Sequence, residues 1–211
     1  VIVRSSSAAA ALVRTLAGAG VPVTSPSGTG PVGEQPAAQA LLTVLAATAN
    51  GLDAERLRRN IAMARDLSSR MGGFRVLIGA EVEIDDRGRL DYPGELLAEL
   101  DFVIGAVHTR FKMTETEMTN RLLTAVSNDH INILAHPTGR AIGQREAYAM
   151  DMERVMDEAR GKGVFLEVNS FPERLDLNDR HCRMAQERGN LLVVNTDSHH
   201  PSHFDNMVYG V

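Results

Sequence analysis

The sequence has few of the residues that cross-link a chain or anchor it in a membrane. Cys182 is the single cysteine, tryptophan is absent, and aromatic residues make up 4% of the chain. One cysteine excludes an internal disulfide framework and a cysteine-based zinc finger, and it is typical of a reducing compartment. No apolar run approaches the roughly 20 residues that span a bilayer. We therefore expect a cytoplasmic protein with no membrane partner.

Positive charge is also in short supply. The 22 lysines and arginines are outnumbered by 27 aspartates and glutamates, and the formal net charge is −5. This balance argues against a globally basic nucleic-acid binder, although a local basic patch stays open. With 211 residues, 44% of them hydrophobic, the chain is long enough for one good-sized core. It lacks an initiator methionine, so we expect a fragment, a trimmed chain or a splice product.

Histidine is absent before His108, and residues 1–50 also lack aspartate. This first segment is rich in alanine, glycine, serine, threonine and proline. Its apolar run over residues 36–48 is interpreted as a helix. The segment contains no cluster of acids, bases or metal ligands, so we expect a structural role for it.

From residue 51 onward the sequence alternates regularly between two kinds of segment. An amphipathic helix is predicted over residues 53–70. Strand-like apolar runs then occur at 76–84, 102–107, 131–135, 164–169 and 191–195. Helix-like segments lie between them at 94–100, 115–127, 146–161 and 179–188. Apolar strands that alternate with helices predict a parallel sheet with covered faces, either doubly wound or part of a (β/α) barrel.

Polar residues follow the strands where parallel sheets carry out chemistry, at their carboxyl ends. His108 and His136 each end an apolar run, and Glu81 lies inside the run VLIGAEVEI. Asp197 and His199 follow the last predicted strand. A single strand-end histidine is more often structural, but burying this whole set without partners costs several kcal/mol. A shared cation is the simplest partner, and imidazole with carboxylate suits zinc, manganese or iron.

Several stretches of residues 51–211 carry a resemblance to a known family. They are IGAEVEI, RGRLDYPGELLAELDFVIGAVHTRF, ILAHPTGR, FLEVNSFPERLDLNDR and NTDSHH. They resemble the PHP domain (polymerase and histidinol phosphatase) that is attached to bacterial family X DNA polymerases. The resemblance implies an α/β fold, a distorted (β/α)7 TIM-like barrel with a trinuclear metal centre. It also implies phosphoester hydrolysis, as a 3′–5′ exonuclease or a 3′-phosphatase in DNA repair.

The resemblance implies roles for individual residues. Glu81 matches a carboxylate that bridges two metals, and His108 and His136 match ligands of one of them. Asp197 matches a ligand of the second metal, and His199 matches a ligand of the third. The implied cofactors are divalent ions, with manganese and zinc preferred.

Two basic residues complete the implied site. Arg140 and Arg174 match arginines that face a phosphate, for which a guanidinium is well suited because it makes charge-assisted and often bidentate contacts. The implied partners are DNA 3′ ends or small phosphoesters.

The chain departs from the family at its start. The family opens with a His-x-His motif and then a Thr-Asp-His motif, and neither can exist before His108. Three ligand histidines are therefore missing. We expect a PHP domain over residues 51–211 that is truncated at both ends and binds about one metal ion instead of three.

Residues 1–50 resemble something else. The stretches VIVRS, LAGAGVPV and EQPAAQALLTVLAATA are similar to the second motor domain of actinobacterial UvrD-like or RecB-like helicases. They contain none of the ATP-binding residues, so we expect a short helicase-like α/β fragment without ATPase activity. Two alternatives to a working phosphoesterase stay open. One is a non-catalytic PHP remnant, and the other is a helicase-linked accessory module in DNA repair.

Overall fold

The sheet is parallel and follows the order of the chain. A computed structural model describes residues 40–44, 54–70 and 75–211. The strands are β1 Ala40–Val44, β2 Arg75–Glu83, β3 Phe102–Ala106, β4 Ile133–Leu134, β5 Phe165–Asn169 and β6 Leu192–Asn195. Each strand pairs in parallel with the next, and within the described ranges β1 and β6 are the two edges of an open sheet. The predicted α/β class with an incomplete barrel-like sheet is confirmed.

Helices make the crossovers that parallel strands require. They are α1 Ala54–Arg70, α2 Gly94–Leu97, α3 Glu115–Val126, α4 Met152–Lys162 and α5 Asp179–Arg188, and a 3-10 helix follows at Pro201–Tyr209. Two of these helices have side-chain caps: Thr114 and Glu117 form a capping box at the start of α3, and Asn178 caps α5. Among these described helices, none has both the length and the apolar character needed to cross a membrane.

Two predicted elements are wrong in type or in extent. Residues 36–48 were expected to be helical, but Ala40–Val44 is a strand that pairs with β2. An apolar run this short fits both structures, and the neighbouring strand decides between them. The helix predicted from residue 146 begins instead at Met152, where Asp151 caps it by accepting a hydrogen bond from the Arg154 amide.

The two faces of the sheet have different neighbours. On one face, Ile78 and Val82 of β2 pack against Leu57 and Ile61 of α1. A second cluster on this helix-covered side joins α3 and α4 to the sheet, and it includes Met118, Leu122, Leu134, Val155, Met156 and Leu166. Because side chains alternate along a strand, Glu81 of β2 points to the opposite face. That face is not covered by these helices.

The opposite face is apolar near its middle and polar near the carboxyl ends of the strands. A small cluster there contains Phe102, Ile104, Ala106, Ile133 and Ala135. Glu81 lies in register with Ile104, and the pairing of β5 with β6 aligns Asn169 with Asn195. The sheet therefore brings carboxylates and amides from separate strands to one edge, next to this buried apolar cluster.

Candidate metal centre

Glu81, His108 and His136 converge at the carboxyl edge of the sheet. His108 follows β3 and His136 follows β4, so parallel pairing places both beside the end of β2. The Nε2 atom of His108 lies 2.9 Å from Oε1 of Glu81, and that of His136 lies 3.6 Å from the same oxygen. One donor atom from each residue lies within 4.8 Å of the other two. This spacing is short enough for the three residues to hold one ion.

His136 has the environment of a metal ligand. It is 1% exposed, and in the described part of the chain neither of its ring nitrogens has a hydrogen-bond partner. A buried polar group without a partner is costly, so an imidazole in this setting favours a ligand that the protein itself does not supply. Two imidazoles and a carboxylate are a donor set that zinc and manganese accept. The residues present therefore fit a divalent transition metal.

Glu83, two residues after Glu81 in β2, lies against His108. Its Oε2 atom lies 2.8 Å from Nδ1 of His108, and Thr109 donates its hydroxyl to Oε1 at 2.9 Å. Burial alone would raise the pKa of the Glu83 carboxyl, but the hydrogen bonds from His108 and Thr109 outweigh it and lower that pKa. Glu83 is therefore an ionised hydrogen-bond acceptor at neutral pH.

Asp197 and His199 lie just beyond β6, at the same edge of the sheet. The Oδ2 atom of Asp197 accepts a hydrogen bond of 3.2 Å from Asn169. His199 places Nδ1 2.7 Å from the Asp197 carbonyl, and because a carbonyl only accepts, that nitrogen carries the proton. Within the described residues, the cluster that is close enough to share one ion includes neither of them. Their roles as ligands of further metals stay predictions.

The two arginines occupy different positions. Arg140 donates from Nε to the Arg174 carbonyl at 3.1 Å and from its terminal nitrogen to the Leu175 carbonyl, so it braces the loop after β5. Arg174 places Nε 3.5 Å from Asp197 and keeps a buried terminal nitrogen that has no hydrogen-bond partner in the described chain. Of the two, Arg174 has the guanidinium group that lies beside Asp197.

A buried carboxylate, Glu167, links the parts of the site and has no counterpart among the sequence predictions. It accepts hydrogen bonds from the His136 amide nitrogen and from the side chains of Asn169 and Asn195. Burial, followed by the nearby charge of Asp197, raises the pKa of Glu167 to about 8. The sequence alone does not reveal these contacts, because two of the three come from other segments, namely His136 after β4 and Asn195 of β6.

We expect Glu167 to make the metal-free protein less stable as the pH rises. The unfolded chain loses this proton near pH 4.3 while the folded chain keeps it to about pH 8, so stability falls across that interval. The loss is on the order of 4 kcal/mol at pH 8. Glu167→Gln removes this slope but gives up one acceptor, which costs about 1 kcal/mol.

The stability curves of the two proteins should therefore cross between acidic and basic pH. Urea unfolding in the presence of a chelator, at half-unit steps from pH 5 to pH 8.5, measures this crossing. The exposed Glu187 provides the control, since Glu187→Gln should keep the wild-type slope. A variant Glu167→Gln whose slope equals that of the wild type would contradict the raised pKa.

Known proteins resemble this chain over most of its length. It is 43% identical over 163 residues to a DNA polymerase/3'-5' exonuclease PolX of Bacillus subtilis. It is 32% identical over 143 residues to a probable phosphatase of Caldanaerobacter subterraneus. These alignments cover 77% and 63% of this chain, but only 29% and 54% of the two relatives. No family model matches the chain.

The fold also has a counterpart among solved structures. The histidinol phosphate phosphatase of Lactococcus lactis, complexed with zinc, L-histidinol and phosphate, superposes with a TM-score of 0.55. The superposition covers 80% of this chain and 79% of that one, at 16% sequence identity. Identity this low shows a shared fold and leaves the activity to be argued from the site.

Proposed function

From the homology of this chain to PHP domains, we propose that it is a metal-dependent phosphoesterase, a hydrolase that uses a divalent cation. The observation that carries the proposal is the convergence of Glu81, His108 and His136 from three strand ends. A buried histidine with two unpaired ring nitrogens is unfavourable in a merely structural protein. It becomes favourable when an ion occupies the position between the donors.

In this proposal, different side chains of the site bind the metal ion and the substrate. Glu81, His108 and His136 would bind the divalent ion, which when bound polarises a phosphoryl oxygen and acidifies a water molecule. Arg174 supplies a guanidinium beside Asp197, where it would bind and orient a phosphate group. Asn169 and Asn195 hold the carboxylates of the site in place. Zinc and manganese both suit this donor set.

The narrower proposal is that the substrate is a DNA end. The PolX relative is named as a 3'-5' exonuclease, and the exposed Arg110 and Lys112 lie two and four residues after His108 in the sequence. Positive side chains beside a hydrolytic site favour a polyanionic substrate, because they attract its phosphates. A 3′–5′ exonuclease or 3′-phosphatase acting in DNA repair in the cytoplasm fits these features. Small phosphoesters are the alternative substrates.

We also propose that the PHP region corresponds to residues 51–211. The suggested helicase-like fragment at residues 1–50 lies outside the described residues except for Ala40–Val44, and the relatives above do not support it. This strand joins the same sheet as β2. The pairing of β1 with β2 does not show where residues 1–50 come from. The division of the chain into a segment 1–50 and a PHP domain 51–211 therefore stays a prediction.

Metal analysis of the purified chain beside a hydrolysis assay tests the proposal. We expect about one tightly bound ion by native mass spectrometry, because three of the family's ligand histidines have no counterpart before His108. We also expect manganese-dependent hydrolysis of bis(4-nitrophenyl) phosphate and of a DNA oligonucleotide with a 3′-phosphate. The rates should lie well below those of a relative with the full ligand set.

Each outcome of this experiment has a definite meaning. Hydrolysis that appears with manganese and vanishes with chelator supports the phosphoesterase. One bound ion without any hydrolysis would indicate a non-catalytic PHP remnant or an accessory module instead. Three tightly bound ions with rapid turnover would contradict the incomplete metal centre, and His200 and His203 would then be the first residues to test as additional ligands.

A further inference from the structure

Glu83 accepts hydrogen bonds from the strand end that carries His108. The His108 backbone nitrogen donates to Glu83 Oε2 at 3.1 Å, and the ring atom Nδ1 of the same residue lies 2.8 Å from that oxygen. Thr109 donates its hydroxyl to Oε1 at 2.9 Å. Main chain and side chain of His108 are thus held by one carboxylate, which lies two residues beyond Glu81 on the same face of β2.

Arg121 anchors this carboxylate from behind. It is a buried arginine of α3, with 1% of its surface exposed, and its guanidinium lies 3.5 Å from Oε1 of Glu83. The same guanidinium donates to the Thr109 carbonyl at 3.0 Å and to the Ile84 carbonyl. These carbonyls lie at the ends of β3 and β2. A single buried side chain therefore ties together the two strand ends that carry Glu83 and His108.

The contact with Glu83 determines which nitrogen of His108 holds the proton. An ionised carboxylate only accepts hydrogen bonds, so Nδ1 must be the donor. The other ring nitrogen, Nε2, lies 2.9 Å from Oε1 of Glu81, a spacing at which either a proton or a metal ion has to separate the two atoms. A metal ion that takes the place of this proton meets Nε2 as a ligand, while the proton on Nδ1 stays with Glu83. A histidine ligates a metal through its unprotonated nitrogen, and a carboxylate on the opposite nitrogen fixes the ring and raises its basicity.

We propose that Glu83, anchored by Arg121, is a positioning residue for the metal centre: it selects the Nδ1-protonated form of His108 and so presents Nε2 as a ligand. This inference rests on the metal site proposed above. Glu83 acts through His108 and touches neither substrate nor ion. It would make this metal site sensitive to a residue that is not itself a ligand.

Glu83→Gln tests the proposal because it keeps the shape and removes the acceptor-only character. In the variant, the His108 amide, His108 Nδ1 and the Thr109 hydroxyl would compete for one amide oxygen, so the glutamine NH2 group turns toward Nδ1. Because this NH2 group only donates, Nδ1 has to accept, and the ring then carries its proton on Nε2. In the metal-free chain at pH 8, nitrogen NMR should show a proton on Nδ1 of His108 in the wild type, and that proton should be lost from Nδ1 in the variant, in which Nε2 alone carries a proton. Titration with manganese alone should show binding weakened about 10- to 100-fold.

A milder variant and a matched control complete the experiment. Thr109 is exposed, so Thr109→Val should fold normally and weaken manganese binding by only a few-fold, since it removes one of the donors that orient Glu83. If Glu83→Gln does not fold, Glu83→Asp takes its place in the experiment. Because aspartate keeps the negative charge, this variant should retain part of the wild-type manganese affinity. Glu146→Gln makes the same chemical change at an exposed position and should leave both measurements at wild-type values.

Two results would overturn the inference. One is manganese affinity within twofold of wild type in a folded Glu83→Gln protein. The other is a wild-type His108 that carries no proton on Nδ1 in the metal-free chain. The phosphoesterase proposal fails separately, because a chain that binds manganese in the Glu83-dependent way and hydrolyses nothing would remove that proposal and leave this one intact.

Discussion

Replacing His136 with alanine should abolish metal binding and metal-dependent hydrolysis together. The side chain supplies one of three converging donors, and its loss leaves an ion with Glu81 and His108 alone. We expect metal affinity to fall by at least about 100-fold and hydrolysis by about 10³-fold or more, since each lost 1.4 kcal/mol of stabilisation is a factor of ten. Isothermal titration with manganese and a phosphodiester assay at saturating manganese measure the two effects.

The metal-free His136→Ala protein should remain folded. The imidazole buries two nitrogens without hydrogen-bond partners in the described chain, so its removal also removes an unfavourable burial. His130→Ala is the matched control, because His130 precedes β4 at the opposite edge of the sheet from His136. It should retain wild-type affinity and activity. A His136→Ala protein that hydrolyses substrate at the wild-type rate would show that the reaction uses another centre.

Gly139→Ala should destabilise the protein by about 2–5 kcal/mol, combining left-handed backbone strain with overpacking. Gly139 has φ +64°, and an added Cβ would lie 2.3 Å from Cε1 of Tyr148. That ring cannot withdraw easily, because it is buried and its hydroxyl donates to the Pro137 carbonyl at 2.7 Å. Pro137 adjoins His136, so the displaced loop should weaken manganese binding as well. Urea unfolding of the metal-free protein measures the loss.

Gly143→Ala separates the two causes. Gly143 has φ +75°, but no atom of the described residues lies within 4 Å of its added Cβ. The substitution therefore keeps the backbone strain, which costs about 1–2 kcal/mol, and omits the clash with Tyr148. The difference between the two variants isolates the steric contribution at Gly139. Equal losses of stability at the two positions would mean that the Tyr148 ring moves aside freely and that Gly139 is not tightly packed against it.

Most of the architecture follows from patterns that are local in sequence. The runs at 76–84 and 102–107 form β2 and β3. They are apolar along most of their length, which is typical of strands whose two faces are both buried in a parallel sheet. Thr114 with Glu117 marked the start of α3 three residues apart, which is the spacing of a capping box. The helix predicted over residues 36–48 is wrong because the length and composition of this run suit a helix and a strand equally.

The candidate site was predicted in its composition and only partly in its geometry. Strand ends identified Glu81, His108 and His136, because carboxyl ends of parallel strands share one edge. They could not identify how Glu83 or Glu167 would be used. Glu83 meets Arg121 of α3, and Glu167 meets Asn195 of β6. Such partners lie many residues away, and their identity depends on which strands become neighbours.

The sequence by itself determined the order of strands and helices after residue 51, the helix caps and the placement of Glu81, His108 and His136 at the carboxyl edge. These features depend on periodicity and on contacts within a few residues of one another. Tertiary structure alone decided that Ala40–Val44 is a strand, that Arg140 braces a loop while Arg174 faces Asp197, and that Glu83 orients His108. The physical reason is that hydrogen bonds and burial between distant segments exist only after the sheet has brought those segments together, and the energy of each contact depends on how completely water is excluded there.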